Sequence, residues 1–104
     1  MEKQNLIGRK VIIRADRAGV FFGTLVSKTD TPAGVEVEMQ DSRRLWYWDG
    51  AASLSQLAVD GTTAPDECKF TVTVPQHVIM QVIEIIPCSD KAIKSIESVK
   101  VWKR

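Results

Sequence analysis

Histidine occurs once and cysteine twice in this 104-residue chain. Zinc sites are built from closely spaced ligand pairs, and neither Cys68 nor Cys88 belongs to one, which argues against a structural metal. Secreted disulfide domains carry more cysteines and open on an apolar leader, whereas Met1 to Asn5 is polar. Both thiols are therefore expected to be reduced and buried, and the chain cytoplasmic. No apolar run reaches the length of a membrane span, so no membrane partner is expected. A glycine-rich phosphate loop, a nucleophile elbow and a His/Asp/Glu metal cluster are all missing. That leaves no catalytic residue, cofactor or metal to assign, and the chain reads as a non-enzyme. Charge of one sign is not in excess either. A net charge of +1 supplies no strong long-range pull toward nucleic acid or membrane.

Apolar residues make up 44% and charged residues 26%, which is ordinary globular composition and argues against disorder. The length suits one domain over residues 1–104, large enough for a core without covalent staples. Locally, Lys3, Arg9, Lys10, Arg14 and Arg17 face only Glu2 and Asp16, a modest basic excess.

Strand patterns dominate. Lys10 to Arg14 and Val20 to Ser27 read as β-branched or apolar runs, with Asp16 to Gly19 as the turn between them. Gly23 interrupts the second run, which marks a bulge or a close approach by a neighbouring backbone. Thr29 to Gly34 reads as a loop. Gly34 to Gln40 alternates cleanly, and after a turn at Asp41-Ser42 the run Arg43 to Trp48 alternates again. Ser53 caps a short helix that Gly61 stops, and a second loop carries Pro65. Lys69 to Val74, with Phe70, Val72 and Val74 on the apolar face, turns at Pro75-Gln76-His77 into Val78 to Ile86, expected to be the central strand. Ser89 caps a final helix whose apolar stripe is Ala92, Ile93, Ile96 and Val99, continued by Trp102. The expected fold is α+β and mostly β. It is a bent antiparallel sheet or small open barrel of five to six strands, with one short helix and one C-terminal helix; an SH3-like barrel is one candidate.

Arg43-Arg-Leu-Trp-Tyr-Trp48 concentrates three of the seven aromatics and two arginines in six residues. On a strand, Arg44, Trp46 and Trp48 share one face and Arg43, Leu45 and Tyr47 the other. A guanidinium beside an indole suits a ligand that carries both a phosphate and an aromatic base. Burial of the indoles in the core is the competing account, at about 150–250 Å² of surface per ring. The candidate ligand-binding residues are Arg44 and Trp46 foremost, then Arg43, Tyr47 and Trp48, with Arg17 and Arg14 adding positive charge. Because alternation separates the two arginines, one of them is expected to bind. His77 reads as a surface histidine, and Glu84 as a carboxylate paired with an arginine or set at a sheet edge.

The segments Ala18 to Leu25, Arg43 to Ala51 running into Ser53 to Ala58, Cys68-Lys-Phe70, and Glu84 to Pro87 followed by Ala92 and Ser95-Ile96 carry a resemblance. Together they make the chain similar to a group of short proteins of unknown function encoded in bacteriophage and prophage genomes. The resemblance brings no catalytic residues. It implies a small phage protein acting in the cytoplasm of an infected bacterium. The expected function is a homo-oligomeric binder that sequesters a small nucleotide-like ligand in counter-defence. A protein-interaction module, or a minor virion or assembly component, is the alternative.

Overall fold

The computed structural model describes residues 5–104; the polar opening of the chain and Lys3 lie outside them. Strands β1 (Lys10–Ala15), β2 (Gly19–Thr31) and β3 (Gly34–Tyr47) precede helix α1 (Leu54–Asp60). A 3-10 turn at Pro65–Glu67, strand β4 (Lys69–Pro87) and helix α2 (Asp90–Ser98) complete the order. Every strand pairing is antiparallel, and the order β1-β2-β3-β4 returns to β1, closing a barrel.

The described residues form four strands rather than five or six, because two expected turns lie inside long continuous strands. At Asp41-Ser42 the chain bulges instead of turning. Phe22 faces Arg43 and Thr24 faces Gln40, so β3 spends one extra residue there, and Asp41 takes φ 53°. Gly23 lies opposite. A Cβ on it would sit 3.0 Å from the Ser42 Cα and 3.1 Å from the Gln40 carbonyl oxygen, a close backbone approach that any side chain would crowd. Pro75 likewise does not turn the chain. Val74 pairs with Ser42 and Gln76 with Gln40, so β3–β4 pairing runs in one register past Pro75, which stands opposite Asp41. The expected loop at Thr29 to Gly34 shrinks to Pro32-Ala33, with Thr31 accepting from the Ala33 amide.

Two cores result, fed by alternate residues. Val11, Ile13, Phe21, Leu25, Val37, Met39, Ile79 and Val82 come from all four strands and fill the barrel. Ile12, Phe22, Leu45 and Phe70 point the other way and meet Leu57, Ala58, Ala92, Ile96 and Val99 under the helices. β1 is therefore buried on both faces. Val78 to Ile86 is not the central strand, because Gln81 at φ 57° breaks its alternation and leaves Val78, Met80 and Ile83 exposed. In the first half of β4 only Phe70 is buried; Val72 is exposed.

Both helix starts obey their caps. Ser53 accepts from the Gln56 amide and Ser89 from the Ala92 amide, satisfying otherwise orphaned N–H groups. Gly61 closes α1 at φ 76°. Helix α2 stops at Ser98, so Val99 is extended and Trp102 does not continue the helical stripe. Ile96 is wholly buried between α2 and the sheet. Ile96→Ala is expected to cost about 2–5 kcal/mol in chemical denaturation, the range for deleting a large aliphatic core side chain.

Candidate functional site

The extra residue at Asp41 rotates the remainder of β3, and Arg43 and Arg44 leave the strand on opposite sides. Arg43 is 6% exposed. Its Nε donates to the Thr71 carbonyl at 3.0 Å and Nη1 to the Ile96 carbonyl at 3.0 Å. Nη2 donates to the carbonyls of Phe70 at 3.2 Å and Lys100 at 3.3 Å. Desolvation pulls its pKa down from the ordinary arginine value, and among the described residues no carboxylate pairs with it; the four carbonyls satisfy it instead. Arg43 is thereby withdrawn from the candidate ligand site and becomes a structural clamp.

Arg44 projects toward the end of the barrel, exposed, with its guanidinium 4.8 Å from the centre of the Phe21 ring. Its neighbours line an open groove of about 490 Å³: Asp16, Arg17 and Ala18 from the β1–β2 turn, and His77, Val78 and Met80 from β4. Arg17 holds the turn in a left-handed conformation at φ 67°. Among the described residues neither Arg17 nor Arg44 enters an ion pair. The two cations therefore stand unneutralised by direct contact on one concavity, with a single carboxylate, Asp16, beside them.

His77 also belongs to the groove, and sequence reasoning missed it. Its register partner is Met39, not a turn. The ring meets Phe21 edge-on at 5.1 Å, and Nδ1 lies 3.2 Å from the buried Ser42 hydroxyl. Desolvation, and secondly the charge of Arg44, hold its pKa below the usual imidazole value. Only the long-range β3–β4 register, which sets His77 opposite Met39, could have placed it there.

Arg44 and Trp46 remain on the same exposed side, but they open onto different features. Trp46 stacks on Trp102, centroids 5.0 Å apart, with Lys69 close by. Tyr47 is exposed with Lys69 Nζ 6.0 Å from its ring. Trp48 does not share the Trp46 face. It lies past the strand end, half-buried against the helix-side core. Arg14 pairs with Glu84 at 3.7 Å and does not line the groove. Both cysteines are free and buried, and burial pushes the Cys88 thiol up to about 12, which leaves it unreactive near neutrality. Among the described residues no His/Cys/Asp/Glu group could hold a metal ion, and no helix is long and apolar enough to cross a membrane.

Residues 8–96 match a family model described as a domain of unknown function (DUF6948). No curated protein and no solved structure matches the chain.

The two arginines should separate cleanly under mutation. Arg43→Ala removes a donor from four carbonyls, of which those of Phe70 and Ile96 keep the Trp102 and Val99 amides, and is expected to cost about 1–3 kcal/mol, the range for leaving buried acceptors unsatisfied. Arg44→Ala forfeits a surface cation–π contact of roughly 0.5–1 kcal/mol. The second variant should also raise the pKa of His77, the sole histidine, in an NMR titration. The sign is set by the cause, since removing a nearby positive charge eases protonation. For the parent protein, the lowered His77 pKa gives stability that is complete above about 6.5 and is lost as the pH falls below it.

Proposed function

The chain belongs to the DUF6948 family, a domain of unknown function, and from its own geometry we propose that it is a non-enzymatic binder of a small phosphate-bearing, nucleotide-like ligand. The observation that carries this is the pair Arg17 and Arg44, exposed, free of ion pairs among the described residues and set on one groove. A guanidinium offers a planar fork of donors that matches two phosphate oxygens at once. The volume, about 490 Å³, falls within the range of small-molecule sites. Ala18, Val78 and Met80 supply apolar surface for the uncharged part of the ligand. Phe21 is fully buried under Arg44 and acts as a rigid floor rather than a stacking partner.

Homo-oligomerisation belongs to the same reading. Val78 and Met80 are half or more exposed at the groove's rim, and Ile83 lies further along the same strand. A second copy set against that rim would bury the apolar side chains and convert the open groove into an enclosed pocket. Sequestration in phage counter-defence rests on the resemblance to phage and prophage proteins. A protein-interaction module is the second reading, supported by the exposed Trp46.

Calorimetry against a panel of cyclic and linear nucleotides tests the proposal. At least one nucleotide should bind in a salt-sensitive manner. Arg44→Ala should weaken that binding by about tenfold or more, the cost of a charge-assisted hydrogen bond, with the melting temperature shifted by only a few degrees. Light scattering should give a mass above that of the monomer. Binding left intact by both Arg44→Ala and Arg17→Ala would place the ligand elsewhere, and silence across the panel would end the reading.

A further inference from the structure

Trp46 and Trp102 come from distant parts of the chain and stack with ring planes 20° apart. Lys69 Nζ lies 5.2 Å from the Trp46 ring centre and 5.5 Å from that of Trp102, while the two centres are 5.0 Å apart. A cation resting on the outer face of one indole would be much farther from the second. Three nearly equal distances therefore put the ammonium beside the stack rather than on an outer ring face. The exposures agree, at 58% for Trp46 and 45% for Trp102. Two indoles left at the surface forgo a large burial term, so monomer stability does not account for them.

The surroundings are cationic. Lys103 and Arg104 line a cleft with Trp102 and Thr71, and residues 100–104 hold three cations and no carboxylate side chain. The net charge of the whole chain does not weigh against this, because beyond about 10 Å charges are screened at ordinary ionic strength and the local set decides. We infer that the stacked indoles and their cations are a docking surface for single-stranded nucleic acid. Unpaired bases continue the stack on the outer ring faces, and the phosphates between them meet Lys69, Lys103 and Arg104. A duplex does not fit this chemistry, since its base faces are already stacked on one another. The groove holding Arg44 plays no part, so this surface stands or falls independently of the ligand reading above.

The test is fluorescence anisotropy of short labelled oligo-dT and oligo-U on the intact protein at low salt, with tryptophan quenching monitored in parallel. Both oligomers should bind, with a log–log salt dependence of slope about −2, as when three cations neutralise phosphates of a single strand. Preference for one of them would tell DNA from RNA as the source. Trp102→Ala and Lys69→Gln should each weaken binding by roughly tenfold through lost stacking and lost charge, and Trp102→Phe should restore part of the first. Arg44→Ala should leave it unchanged. Trp102 lies outside both cores, and a melting curve confirms that its variants remain folded. Absence of binding by either oligomer, equal affinity for a duplex, or indifference to Trp102→Ala would overturn the inference. So would a wild-type homodimer that ignores both oligomers and becomes monomeric on Trp102→Ala, which would make the patch a contact between copies.

Discussion

A guanidinium buried with no carboxylate partner among the described residues is the constraint around which the helix-covered half of this molecule is arranged. Arg43 is stable in its place only while four backbone carbonyls, from Phe70, Thr71, Ile96 and Lys100, converge on it. Those carbonyls belong to β4, to the last turn of α2 and to the segment after it. Moving any of these leaves part of a charge desolvated and unpaired, which costs far more than an ordinary lost hydrogen bond. The same contacts direct the segment after α2 along β4, where Val101 bridges to Phe70 and the Trp102 amide donates to the Phe70 carbonyl. The indole of Trp102 meets Trp46 because Arg43 holds its backbone nearby. An internal, invisible residue thus positions an exposed one.

Two neighbours in sequence have come to opposite uses. Arg43 spends its donors inside, and Arg44 keeps its own free at the barrel end. Alternation on a strand already separates them, and the bulge at Asp41 decides which way each one goes. Gly23 is the necessary counterpart, since a side chain there would push against the very backbone that makes the extra turn of register. The groove with Arg44, Arg17 and His77 and the patch with Trp46, Trp102 and Lys69 are consequences of that one added residue.

Much of this was legible beforehand. Ser53, Gly61 and Ser89 announced the helix boundaries through capping chemistry that depends on adjacent residues alone. The separation of Arg43 from Arg44, and the close backbone approach at Gly23, came from strand geometry and glycine's missing Cβ. Asp41-Ser42 and Pro75 misled, because residues that form turns also occur at bulges and within long strands, and only the partner strand distinguishes these cases. The places of Trp48, Trp102 and His77 were hidden for a related reason. Each depends on contacts between residues far apart in the chain: Trp48 on the helix-side core, Trp102 on the Arg43 clamp, and His77 on the β3–β4 register.

The same long reach sets an order of events during folding. Ile12 pairs with Ile86 to close the barrel, and Arg43 waits for the carbonyls of Ile96 and Lys100. Neither contact can form until nearly the whole chain is present. While the chain is being synthesised, then, the β1–β2 and β2–β3 hairpins form first and the β3–β4 pairing follows, and until α2 is present part of the helix-side apolar face is uncovered. Contacts of such high sequence separation slow the search for the native state and prolong the interval in which that face is exposed. The segment from Asp90 onward is what ends that interval, by supplying at once the second helix over the outer core and the Ile96 and Lys100 carbonyls that complete the acceptor set of Arg43.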